Sequence, residues 1–160
     1  MNKLIISSII FSFILLFSCN DKVFYHNKNI IANSNWKHND TLNFNVNITD
    51  TSQLYDLFFT IVNSNEYSNS NLWLFVNTKS PENFSLEDTL ELFLSDEKGK
   101  WYGKKSSNKF KSFHYFKRQV VFSKKGIYSF SVRQGMRHLN LNGINEFGLM
   151  IKKSGKKQIK

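Results

Sequence analysis

From Leu42 to Ile48 every second residue is apolar and every residue between them is asparagine. A period of two puts Leu42, Phe44, Val46 and Ile48 on one face and Asn43, Asn45 and Asn47 on the other, which is the pattern of a half-buried strand. The same period returns at Tyr55, Leu57, Phe59 and Ile61, at Tyr128, Phe130 and Val132, and at Phe147, Leu149 and Ile151. Leu90, Leu92 and Leu94 alternate with Glu91 and Phe93. Leu72-Trp73-Leu74-Phe75-Val76 is apolar on both faces, as expected of a central strand. Residues 113–122 form a longer aromatic and β-branched run, and Val23-Phe24-Tyr25 adds another short one. The intervals 63–71, 95–100 and 103–108 are rich in Asn, Ser and Gly, which are turn formers. No window carries a long 3.6-residue stripe; a short helix is expected at most after Asn33 or over 134–139. Short strands at this spacing predict an all-β chain, a single antiparallel β-sandwich of about eight strands.

The remaining composition agrees. A chain of 160 residues with sixteen phenylalanines suits one domain with its own core. A single cysteine excludes a disulfide framework, and seven glycines with one proline exclude collagen-like or proline-rich sequence.

The first residues read as an address. Lys3 supplies a positive start, and residues 4–17 are an uncharged run broken only by Ser7, Ser8 and Ser12. As a helix this run would span about 21 Å, short of a hydrocarbon core of about 30 Å but suited to a secretory signal. It ends Leu16-Phe17-Ser18-Cys19, which resembles a bacterial lipobox, and the sole cysteine of the chain sits where lipidation requires it. The expectation is a lipoprotein signal peptide over 1–18, a lipidated (palmitate-bearing) Cys19 with a tether over 19–40, a sandwich domain over 41–152 and a basic tail over 153–160. A multiply acylated cysteine meets the need for more than one chain in stable anchoring.

The net charge of +10 is uneven, with Lys152, Lys153, Lys156, Lys157 and Lys160 in the last nine residues. Such a tail reads as a solvated segment. It lacks the interleaved aromatics that stack on bases, so no nucleic-acid partner is expected.

The chain is not expected to be an enzyme. It has no Gly-x-Ser-x-Gly elbow, no glycine-rich phosphate loop and no His-Glu-x-x-His. His26, His38, His114 and His138 are scattered without metal-ligand spacing. Glu87-Asp88 and Asp96-Glu97 are neighbours whose side chains diverge on a strand, a poor acid/base geometry. No cofactor is expected.

An ordered set of motifs covers most of the chain beyond Cys19. Tyr67-Ser68-Asn69-Ser70-Asn71-Leu72-Trp73-Leu74-Phe75, Asp88-Thr89-Leu90 and Gly99-Lys100-Trp101-Tyr102-Gly103 come first. Gly126-Ile127-Tyr128, Gln134-Gly135-Met136-Arg137 and Gly143-Ile144-Asn145-Glu146-Phe147-Gly148-Leu149 come after them. The set resembles the gliding-motility lipoprotein H (GldH) family. That resemblance implies an outer-membrane lipoprotein required for surface gliding, linked with the type IX secretion apparatus, with other gliding and secretion envelope proteins as partners and with no catalytic activity. Asn20-Asp21-Lys22 has one acid after the cysteine, which favours the periplasmic face.

Two sets of residues stand out for recognition. Trp101 and Tyr102, between Gly99 and Gly103, are expected either to contact a partner or, for Trp101, to fold back as a lid over the sandwich end. Asp40-Thr41-Leu42 and Asp88-Thr89-Leu90 resemble a short O-glycosylation site, with Thr41 and Thr89 expected to open strands. An alternative reading is a carbohydrate-binding lipoprotein using Trp36, Trp73, Trp101 and Tyr102 as stacking platforms.

Overall fold

A computed structural model describes residues 23–156; Cys19, the signal segment and the last four residues lie outside them. Eleven strands appear in chain order: β1 (Val23–Ile30), β2 (Asn35–Lys37), β3 (Leu42–Ile48), β4 (Gln53–Ser64), β5 (Asn71–Lys79), β6 (Ser85–Phe93), β7 (Lys104–Ser106), β8 (Lys109–Val120), β9 (Gly126–Gln134), β10 (Asn140–Asn142) and β11 (Ile144–Lys156). One sheet has the order β1-β11-β4-β8-β7, a second β3-β9-β5-β6, and β10 pairs with β2 in a small ribbon. Every pairing among them is antiparallel.

The alternation explains how the sheets meet. Phe44, Val46 and Ile48 of β3 and Tyr55, Leu57, Phe59 and Ile61 of β4 are all buried, while the asparagines between the β3 residues face water. Phe147 of β11 is the hub. Its ring lies 5.0 Å from Phe59 within its own sheet, 6.3 Å from Phe44 across the sandwich and 5.2 Å from Trp36 of the ribbon. Burial of one such side chain is worth roughly 1.5–3 kcal/mol, and this aromatic column joins both sheets and the ribbon within the larger apolar core.

The registers also define two ends. Val23 pairs with Lys152, Lys152 with Asp56, and Tyr55 with Val120, so β1 starts where β11 and β8 finish. The opposite end carries the β2–β10 ribbon, the β7–β8 hairpin and the segments 65–70 and 94–103. The sandwich is therefore an elongated body with strands of up to 13 residues running between its ends.

Several expectations are revised. Eleven strands replace about eight because β2, β7 and β10 have three residues each, too few to display a period. β7 lies inside the interval 103–108, which reads as a loop. Of residues 19–40, expected to hold the anchor and tether, Val23–Ile30 and Asn35–Lys37 are strands. Residues 134–139 form no helix. There Gln134 is buried, accepts the Met136 N–H at 2.8 Å and donates to the His138 carbonyl at 2.9 Å, so its side chain closes the turn. The turn near Asn33 is a 3-10 turn over Ala32–Ser34. β5 is central, between β9 and β6, but only one of its faces is covered: Trp73 and Phe75 are 39% and 42% exposed.

Candidate functional site

Trp101 and Tyr102, adjacent in sequence, have different fates. The Asp96 carboxylate accepts the N–H groups of Lys98 and Lys100, each at 2.9 Å, and Gly99 takes φ +77°, which closes the turn ahead of them. Trp101 is then partly buried against the core, with its ring 6.3 Å from Tyr67 and 6.1 Å from Phe110. Its indole N–H donates to Asn65 Oδ1 at 2.9 Å. These contacts turn the indole back toward the sandwich end. Tyr102, one residue on, points outward and is 45% exposed. Gly103 takes φ +86° against the backbone of Lys111, where an added Cβ would collide with the carbonyl, so only glycine lets β7 dock on β8 here.

Tyr102 does not stand alone. Phe93 at the end of β6 and Phe113 and Tyr115 of β8 are also exposed, and with Tyr102 they line a groove of about 560 Å³ between the edges of the two sheets. Glu91 lies on the far wall and is held by the Asn71 amide. One step along β8 the face becomes cationic. Lys104 pairs in register with Lys111, and Ser106 with Lys109. The Lys111 ammonium sits 5.6 Å from the Phe113 ring centroid, and Arg118 lies 4.5 Å from that of Tyr115, within cation–π range. Tyr115 in turn rests 4.3 Å from Phe58 of β4. His26 of β1 shares this face, and burial together with the charges of Lys111 and Lys28 pushes its pKa below the usual histidine value.

The sequence contains a signal for this surface that the strand pattern conceals. Residues 98–145 contain no Asp or Glu at all, so nothing local neutralises the lysines of the β7–β8 hairpin. Phe113 and Tyr115 read as strand formers, and only the register shows them on the uncovered face.

The other residues singled out by the sequence are dispersed. Trp36 is completely buried, its N–H donating to the Asp40 carbonyl at 3.1 Å, so it is no stacking platform. Trp73 and Phe75 project from the outer face of the second sheet. Thr41 and Thr89 are exposed on that face and line one shallow pocket of about 310 Å³ with Phe75 and Arg133. Thr41 immediately precedes β3, whereas Thr89 lies within β6 rather than at its start.

The titratable groups do not assemble into a reaction centre. His114 lies on the inner side of β8 with Nε2 2.8 Å from the Ser112 hydroxyl, and burial lowers its pKa. Burial pushes the Tyr67 hydroxyl up, while that hydroxyl donates to the Asn71 carbonyl at 2.8 Å. Among the described residues no three His, Cys, Asp or Glu side chains are grouped to hold a metal, and no helix is long and apolar enough to cross a membrane.

Comparison with known proteins agrees with the motif set. The GldH lipoprotein family model matches residues 23–151. A gliding motility lipoprotein GldH homolog of Christiangramia forsetii is 34% identical over 152 residues, covering 91% of this chain and 93% of that protein. The gliding motility lipoprotein GldH of Flavobacterium johnsoniae is 32% identical over 146 residues, covering 86% of this chain and 89% of that one. The match takes in nearly the whole sandwich, and the chain belongs to the GldH lipoprotein family.

Proposed function

We propose that this lipoprotein is a non-catalytic interaction component of the envelope machinery for gliding, held in the outer membrane by an acylated Cys19 on the periplasmic side and working with the type IX secretion apparatus. The observation that carries the interaction reading is the surface built by Phe93, Tyr102, Phe113 and Tyr115, four exposed aromatics on one groove. Exposed aromatics converging on one groove suit a binding hot spot, because they offer large contact area at low entropic cost. The anchor reading draws on the lipobox-like run and on the position of Val23, four residues after Cys19, already in a strand. Four residues reach at most about 14 Å, so an acyl chain on Cys19 keeps the β1 end close to the bilayer.

The test is photo-crosslinking at position 102 in the native envelope, with covalent partners identified by mass spectrometry. Protein adducts from the gliding or secretion machinery are expected. An absence of protein adducts at 102, with adducts at a control position elsewhere, refutes the reading.

A second reading, a carbohydrate-binding lipoprotein, retains one favourable observation. Trp73 and Phe75 stand exposed on a sheet face rich in hydroxyl and amide groups, the surroundings in which sugar rings stack. Binding of oligosaccharides that is lost in Trp73→Ala and retained in Tyr102→Ala would favour it over the first.

A further inference from the structure

We propose that the β7–β8 edge is the docking site for an acidic, extended polypeptide segment that lies along β8 where β7 stops. The inference deepens the interaction reading above and rests on it.

The first observation is an unfinished sheet edge. β7 pairs only with Lys109, Phe110 and Lys111 of the twelve-residue β8, whose other side is taken by β4. Over residues 112–116 no strand among the described residues pairs with the outer edge, so the row of backbone donors and acceptors there is open to one more strand; the open stretch ends where Lys117 is tied to Asp88 of β6 at 2.6 Å. Addition of a strand to such an edge is a common mode of peptide recognition, with main-chain bonds giving affinity and alternate side chains giving specificity. The side chains at alternate positions on the uncovered face are Phe113 and Tyr115, both exposed.

The second observation is charge. Lys104 and Lys111 stand directly opposite each other, an arrangement that costs stability in an isolated sheet. Lys105 and Lys109 belong to the same hairpin, and none of the four forms a salt bridge with a described residue. Four acids of the neighbouring elements are engaged elsewhere: Asp96 closes its turn, Glu91 is held by Asn71, Glu146 pairs with Lys28 at 2.7 Å and Asp88 with Lys117 at 2.6 Å. His26, across the sheet, has its pKa lowered first by burial and then by the charges of Lys111 and Lys28. A chain bearing carboxylates supplies the missing counter-charge.

Geometry favours polypeptide over bilayer. The hairpin lies at the end of the sandwich opposite Val23, and strands of 12–13 residues put about 30–40 Å between the two ends. A membrane held near Val23 meets the other end.

The detergent-solubilised full chain is titrated, by fluorescence anisotropy, with a labelled dodecapeptide of alternating glutamate and threonine. Its glutamine counterpart, an N-methylated version, polyphosphate and vesicles containing phosphatidylglycerol serve as comparison probes. The acidic peptide is expected to bind, with affinity falling as salt rises. The glutamine and N-methylated peptides, and the K104E/K111E variant, each bind at least about tenfold more weakly. K152E/K153E, at the other end, leaves binding unchanged. Lys104→Glu alone creates an attractive pair with Lys111, so it raises the melting temperature while it weakens peptide binding, which separates recognition from folding. No binding of the acidic peptide, equal binding of the N-methylated peptide, or a preference for polyphosphate or the vesicles overturns the inference. If crosslinking at position 102 recovers protein and the acidic peptide does not compete for it, the docking inference falls and the interaction reading stands. If no protein is recovered there, the interaction reading falls.

Discussion

The two outer faces of the sandwich are built from similar strands and are finished in opposite ways. On the four-stranded sheet the polar side chains answer one another. The Ser129 and Ser131 hydroxyls donate to Asn45 and Asn43 at 2.8 and 2.7 Å, and the Asn77 amide donates to Ser85 at 2.7 Å. The two Ser–Asn pairs are in register and the Asn77–Ser85 pair is diagonal, and they stand beside the exposed rings of Trp73 and Phe75. On the five-stranded sheet one ion pair, Lys28–Glu146, lies toward β1, while at the β7–β8 hairpin Lys104 faces Lys111 and neither forms a salt bridge with a described residue. A face whose groups satisfy each other adds modestly to stability. The Lys104–Lys111 pair has no such answer within the described residues, and the proposed docking rests on that difference.

The following measurements put that contrast at risk. The largest effect should come from Phe147→Ala, which removes the ring joining both sheets and should cost about 3–5 kcal/mol in chemical denaturation. Both faces then fail together. Trp101→Ala should cost about 2–3 kcal/mol because it empties a partly buried site and frees Asn65, whereas Tyr102→Ala should change stability by less than about 0.5 kcal/mol and reduce crosslinked partner. Equal losses of stability in the two variants would erase the distinction between lid and contact.

The next effect is in pH. His26 and His114 both have lowered pKa values in the folded chain, so the folded state holds them neutral where the unfolded chain takes up protons. Their contribution is complete above the ordinary histidine value of about 6.5 and is lost as pH falls through the lowered values. Denaturation midpoints should therefore drop between neutral pH and about pH 5. Lys111→Ala should raise the His26 value and leave His114 in place, since burial alone acts on the latter; NMR titration of the two imidazoles reads this directly. Movement of both, or of neither, contradicts the assigned positive field.

Removing one rung of the hydrogen-bonded face is a smaller change. Asn43→Ala and Ser131→Ala should each cost about 0.5–1 kcal/mol, with a double-mutant cycle returning most of one loss as coupling. The smallest effect concerns Thr41 and Thr89, exposed together on that same face. Intact mass of the mature protein, wild type against Thr41→Ala/Thr89→Ala, should reveal a glycan lost with the hydroxyls while the melting temperature stays put. A wild-type mass equal to the lipidated polypeptide excludes the modification.

The sequence reports the faces of this fold better than their surroundings. Leu42–Ile48 states its buried side residue by residue because asparagine alternates without a fault. Leu72-Trp73-Leu74-Phe75-Val76 cannot do so, since an apolar run is the same whether the second face is covered by another layer or, as here, by none. β7 is invisible to periodicity at three residues, and with it the opposition of Lys104 to Lys111, which exists only once the register is known. The charge of the tail is plain in the sequence, whereas that of the hairpin is dispersed until the strands pair. Trp101 and Tyr102 stand out together as a motif, but their separation depends on Asn65, contributed by a distant turn.

The placement of Val23 beside Lys152 has a mechanical consequence. A pull on the start of β1, resisted at the β7–β8 hairpin, acts along the strands rather than across them. The β1–β11 ladder then meets the load in shear, with its rungs sharing the force, instead of being unzipped one rung at a time. The five-stranded sheet is thereby oriented as a strut between its two ends, stiffest along its strands.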